Sequence, residues 1–354
     1  MNTIETQKQF SALDSLKGIV ALAIAIYHVG GYFGCVYMNV LWPVYKFTRV
    51  FGNTFFFFVS GFLSAHASRK RILSESVDFK GYVLKKLDKL YPPLFISTIL
   101  MLIFEILRNG RDFFDFYMLF RSLTVVSSGW IDIFEVYNYP MWFISVLLLC
   151  YVIYYFVSKQ KSDGYYITVF LLFILGYYFQ CNDFNIPFMF KRSGIGYFNF
   201  FAGVLTYELF KNIDRDKKHT ALNICSFVCV FGFLALIAVK YYTGLDFIGE
   251  TEAFVAVVFF PALFFISIFN KTFSRILCIK PLAALGRISM PVYYFHMPVV
   301  SAYIQTAYRV LTDGRNNINL ILYLVLLFAF GWVYLKADRA VRKRVAGKKA
   351  VTEQ

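Results

Sequence analysis

The chain has 354 residues, 59% hydrophobic and 21% aromatic, with only 16% charged. Apolar runs of helix length follow one another along most of it, which excludes a soluble domain and points to an all-α, polytopic integral membrane protein. A formal net charge of +15 would suit a nucleic-acid binder only if the basic residues shared one face. They sit instead in short segments between apolar runs, as topology signals do, so no nucleic-acid partner is expected.

About ten transmembrane helices are predicted. They are Ala12–Tyr32, Phe47–His66, Tyr91–Leu107, Pro140–Val157, Tyr165–Phe179, Ile195–Phe210, Thr220–Val239, Thr251–Phe269, Ile288–Leu311 and Ile318–Leu335. With the N-terminus inside, one set of connections holds 25 Lys and Arg residues and the opposite set holds 10. That asymmetry puts both termini in the cytoplasm of a multi-pass inner (plasma) membrane protein. Residues 1–354 are read as one integral-membrane domain, with 336–354 a basic cytoplasmic tail. The first apolar run is too long, and lacks the small-residue cleavage site, to be a signal peptide.

The first span carries Asp14, Lys17 and His28. Lys17 and His28 are eleven residues, about three helical turns, apart, so they share a face and lie roughly 16 Å apart along the axis. Lipid has no use for such a stripe, because each charge there costs a few kcal/mol. Asp14 and Lys17 suit either a capped, snorkelling helix end or a site facing a ligand. His28 lies deeper, and an intramembrane histidine able to exchange protons is a functional-site candidate.

The second span reads FFFFVSGFLSAHASRKR, with Ser60 and Gly61 in mid-span, where small residues let helices approach closely. Arg69–Lys89 follows it, a basic connection that serves equally as a positive-inside signal or as a seat for an anionic cytosolic ligand. The longest outer connection, Arg108–Tyr139, mixes charge with aromatics and suits an interfacial belt better than a sugar-stacking surface. The fourth span opens on Pro140, Met141 and Trp142, an interface anchor. Six scattered cysteines, Cys35, Cys150, Cys181, Cys225, Cys229 and Cys278, show no metal-ligand spacing, and no metal is expected. In the ninth span Ser289, Tyr293 and His296 fall at i, i+4 and i+7, which places three hydrogen-bonding side chains on one face. Pro291 and Pro298 leave backbone groups there for polar side chains to satisfy. His296 reads as a supporting residue more readily than as a catalytic one.

No Walker loop, HExxH, GxSxG or dinucleotide fingerprint is present. Chemistry, if any, falls to an intramembrane histidine, and one option is a general base that activates a hydroxyl for attack on an acyl group. Two other classes stay open beside an enzyme: a transporter of an acyl donor or small metabolite, and a non-catalytic scaffold in glycan assembly. A transporter would be expected to show internal repeats with interrupted helices, and no convincing duplication is visible.

Several stretches together resemble the membrane acyltransferase-3 family. They are Leu13–Gly18 with Lys17 eleven residues before His28, Phe56–Leu63 (FFFVSGFL), Pro140–Ser145 (PMWFIS), Gly194–Gly203 and Leu285–Pro298 (LGRISMPVYYFHMP). They follow in the family's order over Leu13–Leu335. The resemblance implies transfer of an acyl group, usually acetyl from cytosolic acetyl-CoA or another acyl-CoA, onto a hydroxyl of a cell-envelope glycan or its lipid-linked precursor. It implies His28 as the catalytic residue and Lys17, Arg69 and Arg71 as donor-binding residues. Supporting positions are Asp14, Ser60, Trp142, Ser289, Tyr293 and His296. Two departures stand out. Lys17 replaces the family's arginine, keeping the charge but losing the bidentate fork. Arg69-Lys70-Arg71 is also more closely spaced than the family's pair.

Overall fold

A computed structural model describes residues 10–33, 38–125, 129–131, 135–182, 184–214, 217–243, 251–306 and 316–352. Cys35, Lys8, Arg215, Arg309 and Arg315 lie outside the described residues. The helices in chain order are α1 (Ser11–Phe33), α2 (Met38–Leu73), α3 (Phe79–Asn109), α4 (Phe116–Leu123), α5 (Trp142–Ser158), α6 (Ser162–Cys181), α7 (Lys191–Phe210) and α8 (Thr220–Thr243). They continue with α9 (Thr251–Phe254), α10 (Phe260–Phe269), α11 (Lys271–Leu277), α12 (Lys280–Arg287), α13 (Ser289–Thr306) and α14 (Asn316–Thr352). A π-helical turn at Val255–Phe259 joins α9 to α10 just ahead of Pro261, where the missing N–H calls for a wider turn.

The protein is an all-α polytopic membrane protein, with a helix at every predicted span. Among the described residues, seven segments are long and apolar enough to cross a bilayer: Ser11–Val29, Phe79–Asn109, Tyr139–Ser158, Asp163–Cys181, Thr220–Val239, Glu252–Phe269 and Ile318–Val345. The other three predicted spans fall on α2, α7 and α13, which are more polar. On α7 the buried residues include Ser193, Asn199 and Thr206, and protein neighbours tolerate such groups where lipid would not. On α8 the reverse holds. Ile224, Val228 and Phe231 form an exposed apolar stripe at helical spacing, suited to lipid.

Tight backbone contacts set the interior. α7 packs along both α6 and α2. A Cβ at Gly61 would meet the Phe200 carbonyl, and one at Gly203 would meet the Phe58 carbonyl, so these two glycines allow α2 and α7 to touch through their backbones. Ser60-Gly61 is therefore a packing element at its glycine.

Contacts near the helix ends fall into two groups. At one end Phe10 meets His66 with centroids 4.9 Å apart, and Phe79 meets Tyr155 at 5.2 Å. At the other, Arg192 donates to the Tyr139 hydroxyl at 2.7 Å, and Trp130 packs on Phe188 at 5.9 Å. Two predicted loops carry more order than expected. Arg108–Tyr139 contains α4, capped by Asp115 accepting from the Met118 N–H at 3.0 Å. Residues 271–287 form α11 and α12, the first capped by Asn270.

Candidate acyl-transfer site

α1 and α13 pack against each other, and their contact brings the two intramembrane histidines together. The His28 and His296 rings lie with centroids 5.0 Å apart and planes tilted by 34°. His296 is fully buried, whereas His28 is half-buried. The His296 Nδ1 lies 2.5 Å from the Tyr293 carbonyl. A carbonyl can only accept, so Nδ1 carries the hydrogen and, in the neutral ring, Nε2 is left with a bare lone pair. That Nε2 is buried and has no hydrogen-bond partner among the described residues.

The surroundings hold His296 in place from three helices. Tyr293 donates its hydroxyl to the Pro140 carbonyl at 2.8 Å, and its ring packs on Phe56 at 5.6 Å and Phe143 at 5.4 Å. Tyr323 of α14 donates to the His296 carbonyl at 3.1 Å. On the other side, α1 is fixed against α12 by Gly18 and Gly286, whose absent side chains let the two backbones meet. Ser289 is buried at the start of α13. Trp142 lies near the opposite side of the site, 6.2 Å from the Phe57 ring, with the Arg192 guanidinium 5.6 Å above it.

The basic residues divide into two groups. Lys17 pairs with Asp14 at 2.5 Å, and Lys89 of α3 faces both of them together with Arg342 of α14. Arg342 in turn bonds the Asp88 carboxylate at 2.6 Å and the Asp88 carbonyl at 2.9 Å. That carbonyl is available because Pro92, four residues on, has no N–H to give it. Arg69 points elsewhere. Its guanidinium lies 3.6 Å from the Tyr165 ring centroid, and its Nε is buried without a hydrogen-bond partner among the described residues. Tyr165 donates to Glu208 at 3.1 Å, and Lys211 pairs with Glu208 at 2.6 Å. This hydrogen bond to Glu208 holds the Lys211 ammonium above its ordinary pKa. Arg71 is exposed, and its carbonyl accepts from the Ser76 N–H at 3.0 Å where α2 ends.

The acyltransferase-3 family model, an acyltransferase domain, matches residues 10–336. The chain belongs to the membrane acyltransferase-3 family. No curated relative and no solved structure matches it. The match spans His28, Arg69, Trp142 and His296 alike. Both histidines were visible in the sequence of this acyltransferase, but their meeting was not, because 268 positions and most of the bundle separate them. The remaining two of the four histidines are packing groups: His66 meets Phe10 and Tyr207, and His219 meets Phe265 and Phe269. Sequence reasoning did not single out the buried hydroxyls of Ser64, Tyr82, Tyr154 and Ser158, and only Ser64 carried a signal there, the four-residue recurrence of Ser60, Ser64 and Ser68.

Proposed function

We propose that this acyltransferase moves an acyl group, acetyl in the first instance, from a cytosolic acyl-CoA to a hydroxyl of a cell-surface polysaccharide or its lipid-linked precursor. The observation that supports this reading best is the pairing of His28 with His296 inside the bundle. His28, the more accessible ring, is the general base. It takes the proton of the acceptor hydroxyl as the oxygen attacks the acyl carbon. When the carbon–sulfur bond breaks, His28 returns that proton to the leaving thiolate, so the transfer needs no external acid or base. His296 is a positioning residue: its bare Nε2 can accept from the His28 ring and turn the other His28 nitrogen toward the acceptor.

The end of the bundle that carries Lys17, Arg69 and Arg71 faces the cytoplasm in this reading. Its positive charge suits the donor's phosphates, with Asp14 steadying Lys17. Trp142, Ser60, Ser289 and Tyr293 shape the space around the histidines.

The test is acyl transfer by purified, detergent-solubilised protein, with donor binding measured in parallel. Loss of a general base costs on the order of 10²–10⁴-fold. His28→Ala should show that loss while still binding acetyl-CoA, and His28→Gln should not rescue. Near-normal turnover in His28→Ala would remove the base assignment. Full glycan acylation in a His28→Ala strain would favour a scaffold.

A further inference from the structure

Where α2, α3 and α5 meet, toward Arg69, the side-chain atoms Ser64 Oγ, Arg69 Nε, Tyr82 OH, Tyr154 OH and Ser158 Oγ are all buried without a hydrogen-bond partner among the described residues. Ser64 and Tyr82 are 2% and 4% exposed, and Tyr154 and Ser158 are fully buried. Ser60, Ser64 and Ser68 recur every fourth residue and share one face of α2. Tyr151, Tyr154 and Ser158, three and four residues apart, likewise share one face of α5. The two faces meet side by side. Ser60 lies beside Tyr151. Ser64 and Ser68 flank Tyr82, which also faces Tyr151 and Tyr154. Ser158, Tyr165 and Arg69 surround Tyr154. These hydroxyls are neighbours, yet the orphaned ones make no hydrogen bond of ordinary geometry with one another.

A buried hydroxyl without a partner is costly, and native structures hold few. So many in one column mark a place where something polar is meant to lie. The column is rich in donors and carries two basic side chains. Lys86 sits 3.9 Å over the Tyr151 ring and 5.4 Å over Tyr82, while Arg69 stands at the other edge. The nearby carboxylate, Glu208, is already engaged by Tyr165, Tyr166 and Lys211. Such a set complements a chain of carbonyl and phosphate oxygens. The inner end of the column also leads to the histidines. Ser60 is one turn from Phe56, whose ring meets Tyr293 at 5.6 Å, and Tyr293 meets His296 at 5.9 Å.

We propose that this column seats the pantetheine arm of the acyl donor. Tyr82, Tyr154, Ser64 and Ser158 donate to its amide carbonyls, and Arg69 meets the phosphates at the surface end. This rests on the acyl-CoA reading above and departs from it in one respect: the arm runs between α2, α3 and α5, not along the Lys17 face of α1.

The experiment measures equilibrium binding of acetyl-CoA and of S-acetyl-pantetheine to the purified full-length protein. Tyr82→Phe and Tyr154→Phe each remove one hydroxyl and keep the ring. Each should weaken both probes about three- to tenfold, the range for one hydrogen bond. Arg69→Ala should weaken acetyl-CoA alone. If the parent protein binds neither probe, the acyl-CoA reading itself fails. If the parent binds acetyl-CoA but ignores S-acetyl-pantetheine, the column proposal falls and the donor reading stands. The column proposal falls likewise if both tyrosine variants bind both probes like the parent, the orphaned hydroxyls then serving buried water alone. Should a tyrosine variant fail to fold, Ser64→Ala and Ser158→Ala decide by the same criterion.

Discussion

Tyr293→Phe isolates one hydrogen bond that ties α13 to the start of α5. The tyrosine is 4% exposed, and its hydroxyl reaches the Pro140 carbonyl at 2.8 Å. Phenylalanine keeps the ring contacts with Phe56 and Phe143 and removes only the donor. The loss is a net hydrogen bond plus the burial of an unpaired carbonyl, about 1–3 kcal/mol. Tyr293→Ala also loses the ring, and large-to-small changes of that kind cost about 3–5 kcal/mol. Tyr293 also supplies the carbonyl that fixes the His296 tautomer, so loosening its side chain should lower turnover more than it weakens donor binding. At about 1.4 kcal/mol per tenfold, the stability range sets a ceiling of about 150-fold on that decrease. Thermal unfolding in detergent reads the first quantity, and acyl transfer at saturating donor reads the second. Equal destabilisation by Tyr293→Phe and Tyr293→Ala would refute the contribution given to the ring. A Tyr293→Phe protein with both stability and turnover unchanged would refute the role given to the hydroxyl.

Gly203→Val should prevent a stable fold, since even a Cβ there would meet the Phe58 carbonyl; overpacking costs about 1–3 kcal/mol or more, and a monodisperse, fully stable variant would argue against the backbone contact. Arg342→Ala should cost under about 1 kcal/mol of global stability because the pair is largely solvated. It should nonetheless speed protease cleavage of the end of α14, and an unchanged cleavage rate would mean that Asp88 does not hold that helix. Reporter fusions after Lys89 and Lys218 should read cytoplasmic and one at Gly129 external. A cytoplasmic reading at Gly129 would invert the topology and remove the donor assignment with it.

Hydropathy located the long helices, because lipid demands apolar side chains wherever a helix faces it, but not α4, α11 and α12, which lie in the connections. It misjudged helix lengths for the same reason. α2 runs to Leu73, not His66, since alanine, arginine, lysine and leucine continue a helix into water where no apolar run is needed. Asp14 and Lys17 were also legible as neighbours, being one turn apart on a single helix.

Other relations were decided by tertiary structure alone. His28 and His296 lie on α1 and α13, which pack against each other, and Gly18 and Gly286 let the backbone of α1 also reach α12, next in the chain to α13. Lys17 and Arg69 have like charge and similar depth in the sequence. Helix rotation nevertheless sends one toward α3 and α14 and the other onto Tyr165. The unpaired hydroxyls of Tyr82 and Tyr154 had no local signature, because a tyrosine in a span looks the same whether it faces lipid headgroups or the protein interior. Which neighbours enclose a side chain depends on how helices pack, and that packing rests on residues far apart in the chain.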